Sequence, residues 1–284
     1  MHPNINKSFF INCKGRLLDL SQPVVMGILN LTPDSFYDGG RLGDLDALLR
    51  RAEQMVAAGV AIFDVGGAST RPGAAEVEEA VELARVLKPV EALVARFPDV
   101  PVSIDTWRAS VAKAAVAAGA SIVNDVSAGK MDAGMYEAVA QLDVPYILMH
   151  MQGRPQNMQQ QPGYENVVTE VLDFLIREIG QLRALGIKDV VLDPGFGFGK
   201  TLEHNFTLLQ NLHVFEAVTG LPVLAGLSRK SMICKALGVK PEHALNGTTA
   251  LHMVALQQGA RILRVHDVKE AAEVVRLHQI MQSL

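Results

Sequence analysis

Eight times along this chain a short apolar run stops at a polar or glycine-rich cluster, and helix-like sequence follows. VVMGIL ends at Asn30, AIFDV at the GGAST loop, and VSI at Asp105. SIV ends at Asn124 and Asp125, YILM at His150, and VVL at Asp193. VLAG ends at Ser228, Arg229 and Lys230, and RILRV at His266 and Asp267. The order is strand, loop, helix, repeated. It predicts strands near 24–29, 60–65, 101–105, 121–124, 145–149, 189–193, 222–226 and 261–265. It also puts the most reactive side chains at the carboxyl ends of strands, where (β/α)₈ barrels build their sites.

The 284 residues suit one such TIM barrel, read as a single domain over 1–284 with no linker or composition break. Hydrophobic residues make up 49% and aromatic residues only 5%, a mix that suits parallel strands covered by helices. A formal net charge of -4 and a pI near 6.1 argue against nucleic-acid and membrane-surface binding. An anionic substrate therefore needs a local basic cluster. Cys13 and Cys234 are far apart, so neither a disulfide framework nor a zinc site is expected, and a reducing cytoplasm fits. The N-terminal stretch reads as neither signal peptide nor anchor, and no run approaches the ~20 apolar residues of a membrane span.

Residues 8–20 read as a short hairpin ahead of the barrel, with Lys14-Gly15 at its turn. Helices are expected at about 44–58, 76–96, 107–118, 133–142, 164–185, 203–217, 241–258 and 267–282. Asp44, Thr106 and Asp267 serve as expected caps, and Gly59, Gly119, Gly186, Gly220 and Gly259 as expected stops. An open doubly wound sheet is the competing fold. It usually has fewer strands and favours G-x-G-x-x-G after the first, where this chain has Gly27 followed by ILNLTPDS. The connections 30–43 and 66–75 are long and rich in Gly, Pro, Ser, Thr and Asp, as functional barrel loops often are.

In D193-P-G-F-G-F-G-K200 an acid at a strand end is followed by alternating glycines, which exposes the carboxylate and opens the backbone to a flat ligand. A carboxylate accepts two parallel N–H donors, the pattern of a ring N–H beside an exocyclic amine. Asp105 and Asn124 end adjacent strands and with Asp193 read as the reader of a pterin or purine edge; singly, each suits a helix cap. Lys230 follows the seventh strand, where barrels often bind phosphate; a solvated lysine and a Schiff-base lysine are its other readings. Arg71, Arg264 and His266 are the anion candidates. Arg264 and His266 alternate on the last strand and share a side, so each needs an anion or an opposing acid. Asn30 offers a neutral oxygen for a magnesium ion shared with a phosphorylated ligand. Met149 and Met151 read as packing residues, and His150 is open.

These segments together resemble the dihydropteroate synthase family. The matching stretches are MGILNLTPDSFYDGG (26–40), DVGGASTRPG (64–73), SIDT (103–106), IVNDVSAG (122–129), LMHMQGRPQNMQ (148–159), VLDPGFGFGKTLEHN (191–205), AGLSRKSM (225–232), NGTTAL (246–251) and RVHDV (264–268). The resemblance implies displacement of diphosphate from a 7,8-dihydropterin-6-ylmethyl carbon by 4-aminobenzoate, giving 7,8-dihydropteroate, with Mg²⁺ as cofactor. It implies a pterin pocket of Asp105, Asn124, Asp193 and Lys230, and a diphosphate and magnesium site of Asn30, Arg71, Arg264 and His266. Thr70, Pro72, Phe198 and Ser228 would surround the aminobenzoate, where sulfonamides would compete. A homodimer is implied as well. Members commonly carry Glu in GGESTRPG where this chain has Ala68, a departure that bears on the order of the second loop. The alternatives are a pterin-dependent methyltransferase, which would not need the basic cluster, and a pterin-binding paralogue without catalysis.

Overall fold

Parallel strands buried on both faces need apolar side chains at nearly every position, and that requirement shapes the core here. The structure is a computed structural model that describes residues 9–31, 42–69, 77–154, 158–159 and 162–283. An antiparallel hairpin, β1 (Phe10–Cys13) and β2 (Arg16–Asp19), comes first. Eight parallel strands follow: β3 (Val24–Asn30), β4 (Ile62–Gly66), β5 (Val102–Asp105), β6 (Ile122–Asp125), β7 (Tyr146–Met149), β8 (Val190–Asp193), β9 (Val223–Ala225) and β10 (Ala260–Val265). They close into a barrel in which β10 pairs with both β9 and β3. The closed barrel, not the open sheet, is the fold. Every expected strand is present within two residues of its expected ends.

The helices α1 (Leu42–Ala57), α2 (Glu79–Arg96), α3 (Ala109–Ala117), α4 (Met135–Leu142) and α5 (Val167–Ala184) connect the strands in turn. So do α6 (Leu202–Gln210), α7 (His213–Thr219), α8 (Ser231–Leu237), α9 (Leu245–Gln257) and α10 (Val268–Gln282). Two departures from the sequence reading have local causes. The helix expected over 203–217 is two helices, because the Asn211 side chain bonds back to the Thr207 carbonyl at 2.8 Å and closes α6. The short α8, directly after the β9 loop, was not foreseen. No described helix is long and apolar enough to cross a membrane.

The lower interior of the ring is apolar. Met26, Ile62, Ile122, Ile147, Val191, Leu224 and Ile262 fill it, and Ile11, Cys13 and Leu20 of the hairpin pack against them from below. The hairpin thus floors the barrel. Lys14 and Gly15 make its turn with φ of 53° and 90°, as the Lys-Gly pair suggests. Burial pushes the Cys13 thiol up to about 12, so it stays protonated and unreactive.

The expected caps behave differently from their sequence reading. Helix α1 begins at Leu42, which puts Asp44 inside its first turn. Asp267 stands at the start of α10 but makes no side-chain cap; its carboxylate takes Arg229 instead. Thr106 lies ahead of α3, where its hydroxyl accepts the Arg108 N–H at 3.2 Å, as a cap would, and also donates to Glu82 Oε1 at 2.7 Å. Glu82, on α2, is fully buried and is also paired with the Arg108 guanidinium, which donates to the Val77 carbonyl at 2.6 Å. This buried pair ties α2 to the segment after β5. Removing one partner of such a pair strands the other charge at a cost of about 3–5 kcal/mol. We therefore predict that Glu82→Ala lowers the apparent unfolding free energy by about 3 kcal/mol in urea. An unchanged midpoint would show that Arg108 finds another partner.

Candidate active site

The polar level of the barrel follows from register. Asn30, Gly66, Asp105 and Asn124 are successive partners across β3, β4, β5 and β6. Side chains alternate along each strand, so Asp64, two residues before Gly66, also faces inward. Asp105 and Asn124 are buried, and Asn30 is half-buried.

Arg264 on β10 reaches across this level. Its Nε donates to Asp64 Oδ2 at 2.6 Å and its Nη2 to Asp105 Oδ2 at 2.6 Å. Asn124 Nδ2 lies 3.3 Å from Asp64 Oδ2. The opposing acids expected for an inward arginine are therefore Asp64 and Asp105, and neither acts as a helix cap. Burial works against the Arg264 charge, but the two carboxylates outweigh it and hold the guanidinium above its ordinary range. Burial pushes Asp105 upward; Arg264 opposes the rise, and the Asp64 charge adds to it.

Asp193 and Lys230 approach one another around Gly226, the residue after β9. A Cβ there would sit 3.5 Å from Lys230 Nζ and 3.8 Å from Asp193 Oδ2. Lys230 is thus turned toward the barrel mouth, neither solvated nor alone. Its Nζ donates to the Phe196 carbonyl at 2.5 Å and lies 4.9 Å from the Phe198 ring centroid. Burial pulls its ammonium down to about 8, with Asp193 opposing and Arg264 adding. Burial raises the Asp193 carboxyl, against the pull of Lys230.

The glycine-rich loop after β8 is built for close approach. Gly195 has φ of 73°, and a Cβ on it would meet the His150 carbonyl oxygen at 1.9 Å, so no other residue fits. Asp193 Oδ1 accepts the Gly195 N–H at 2.7 Å, which fixes the carboxylate. On the far side of the loop, Lys200 Nζ lies 2.9 Å from His150 Nδ1. His150, left open by the sequence, is buried, and burial with the Lys200 charge pulls it down to about 2, so it is neutral.

Ser228 and His266 meet at the mouth. Ser228 Oγ accepts the His266 N–H at 3.1 Å and lies 3.2 Å from its Nδ1. Between Ser228 and Lys230, Arg229 takes φ of 54°, unusual for a residue with a side chain. Two bonds to Asp267, at 2.8 and 2.9 Å, hold it there and fix its neighbours. An apolar cluster of Ala68, Trp107, Val126 and Met149, with Met151 and Phe198 against it, lies beside the polar groups. The two methionines pack as expected, and Ala68 is buried among apolar side chains rather than presenting an acid. Thr70, Arg71 and Pro72 lie outside the described residues.

The structure thus brings Asp105, Asn124, Asp193, Phe198, Ser228, Lys230, Arg264 and His266 to the carboxyl end of one ring. Two participants were missed by the sequence reading. Asp64 had a signal: it is the acid in an otherwise apolar strand, alternating with Ile62. Lys200 had a weaker one, as the cation closing the glycine run.

The chain matches the family model for pterin binding enzymes over residues 26–266. It is similar to the dihydropteroate synthase of Escherichia coli strain K12, with 48% identity over 266 residues covering 93% of each chain. Among solved structures it is similar to the Yersinia pestis dihydropteroate synthase with a sulfonamide drug complex. The TM-score is 0.91 and the identity 46%, covering 97% of this chain and 100% of that one. It is also similar to the Xanthomonas albilineans dihydropteroate synthase with 4-aminobenzoic acid, with a TM-score of 0.90 and 43% identity, covering 98% and 100%. Family model, relatives and solved structures agree: the chain belongs to the dihydropteroate synthase family of pterin-binding enzymes.

Proposed function

We propose that this chain joins 4-aminobenzoate to 7,8-dihydropterin-6-ylmethyl diphosphate, forming 7,8-dihydropteroate and releasing diphosphate in folate biosynthesis. One observation carries the reading: two buried carboxylates, an amide and an ammonium converge at the mouth of one barrel, beside Arg264 and His266. Asp105, Asn124, Asp193 and Lys230 suit the edge of a pterin, which offers a ring N–H beside an exocyclic amine. Arg71, Arg264 and His266 would hold the diphosphate, and Thr70, Pro72, Phe198 and Ser228 would surround the aminobenzoate. Sulfonamides would compete there.

The chemistry matches these groups. The C–O bond to diphosphate breaks, and its electron pair leaves with the phosphate. The carbon left behind is cationic and stabilised by the electron-rich dihydropterin. Asp105 and Asp193 favour that cation, and the arginines and His266 favour the leaving anion by fixed electrostatics. The neutral aryl amine then forms the new C–N bond and gives its surplus proton to solvent, so no strong general base is needed.

Magnesium fits one residue here. Among the described residues no cluster of three or more His, Cys, Asp or Glu forms a coordination shell, and Asp64 and Asp105 are engaged by Arg264. Asn30 would contribute one oxygen, with diphosphate and water supplying the rest, and the bound ion would neutralise the leaving group. A single-domain, cytoplasmic homodimer completes the reading. Leu277, Ile280 and Met281, exposed on α10, support that helix as part of the pairing face.

Diphosphate release from the two substrates with magnesium tests the activity directly. Release that is absent, or that does not depend on 4-aminobenzoate, would sink it and favour a methyltransferase or a non-catalytic binder. Arg71→Ala should abolish most turnover while the protein stays folded by circular dichroism; near-normal turnover removes Arg71 from the leaving-group role. Asp193→Asn turns an acceptor toward a donor at the pterin edge and should weaken pterin affinity about 10–100-fold by calorimetry. Unchanged affinity refutes the assignment. The Lys230 ammonium, at about 8, is lost as pH rises, so kcat/KM for the pterin diphosphate should fall above about 8. In Lys230→Arg that alkaline limb should vanish, because guanidinium does not titrate there; a limb that persists belongs to another group.

A further inference from the structure

Lys200 is the second lysine of this barrel mouth, and nothing in the proposed chemistry uses it. It is 3% exposed, a rare place for an ammonium group. Among the described residues, every hydrogen bond it makes goes to a neutral acceptor. Its Nζ donates to the Gly195 carbonyl at 2.9 Å and the Phe198 carbonyl at 3.1 Å, and faces His150 Nδ1 at 2.9 Å. His150 is neutral, so its Nδ1 accepts. A buried cation hydrogen-bonded to neutral acceptors is costly to desolvate. Stability alone would favour an apolar side chain at this position, so the charge points to a role in the site.

The loop between Asp193 and Lys200 hangs between two ammonium groups. Lys200 draws the carbonyls of Gly195 and Phe198 to one side. Lys230 takes the Phe196 carbonyl from the other side at 2.5 Å and lies over the Phe198 ring. The left-handed turns at Gly195, Gly197 and Gly199 let the carbonyls alternate in this way. The same loop fixes Asp193 through the Gly195 N–H, and Asn205 Oδ1 anchors the Gly197 N–H at 2.7 Å.

We infer that Lys200 is a positioning residue for the pterin pocket: it orders the 194–199 loop and so holds the Gly195 N–H against Asp193. This rests on the pterin reading of the site. The charged groups that act on Asp193 are Lys230 from the β9 loop, Arg264 from β10 and Lys200 itself. On Lys200 they are Asp193 and Lys230, and burial lowers its ammonium to about 7. Burial raises Asp193 and the Lys200 charge lowers it. Losing that charge therefore raises Asp193 further, and the pH below which pterin binding fails moves up.

The test is calorimetric titration with 6-hydroxymethylpterin, which carries the heterocycle but no diphosphate, from pH 4 to 8. It uses the unmodified protein, Lys200→Met and Lys200→Gln. Lys200→Met removes donors and charge; Lys200→Gln keeps amide donors for the two carbonyls and carries the test if Lys200→Met does not fold. We expect roughly tenfold weaker binding in Lys200→Met and an acid limb displaced upward in both variants. An acid limb that coincides with that of the unmodified protein, in a variant that folds, overturns the role, because losing the Lys200 charge and loosening the Gly195 N–H that Asp193 accepts would both raise the Asp193 carboxyl. If the unmodified protein does not bind the pterin, the pterin reading itself falls, and the two failures are thereby told apart.

Discussion

Arg264 joins elements that the sequence holds as much as 200 residues apart: it bonds Asp64 on β4 and Asp105 on β5 from its own place on β10. A barrel interior is dry, and a charge there persists only with a partner. The rest of the mouth follows from that constraint. Once Arg264 is committed to two acids, Asn124 can lie against Asp64, and the acid edge faces a cation. The apolar floor below, sealed by the hairpin, removes water from the underside and strengthens each of these interactions.

The other half of the site solves the same problem with backbone. Two lysines stand close to Asp193, and their mutual repulsion is offset by carbonyls of the glycine-rich loop. Gly195 permits this only because it lacks a Cβ, which would strike the His150 carbonyl. The loop is therefore a scaffold for charge as well as an open surface for a flat ligand. Arg229 plays a comparable part on the next connection, where its bonds to Asp267 hold a strained turn between Ser228 and Lys230.

Much of this was readable in advance. The eight strands were legible because buried parallel strands demand largely apolar runs, and most of these runs ended at a polar residue near the mouth. Asp105, Asn124, Asp193 and Lys230 were legible for the same reason. The helix breaks were less so: Asn211 looks like an ordinary helix residue until its side chain is seen on the Thr207 carbonyl. Thr106 and Asp267 read as caps, since Thr and Asp before a helix usually are; a distant partner, Arg229, took the Asp267 side chain, while the Thr106 hydroxyl accepts the Arg108 N–H and also reaches Glu82. Asp64 sat inside a strand motif and was passed over.

By itself the sequence determined the repeating unit, its count of eight, and the level at which polar side chains emerge, because these depend on local apolar runs that stop at polar or glycine-rich clusters. It could not say which charge faces which. That Arg264 answers to Asp64 and Asp105, that His150 is neutral, and that Lys200 grips the loop behind Asp193 were decided only when the ring closed. Pairing between buried charges is a matter of distance in three dimensions, and residues from opposite ends of the chain become neighbours only through the completed barrel.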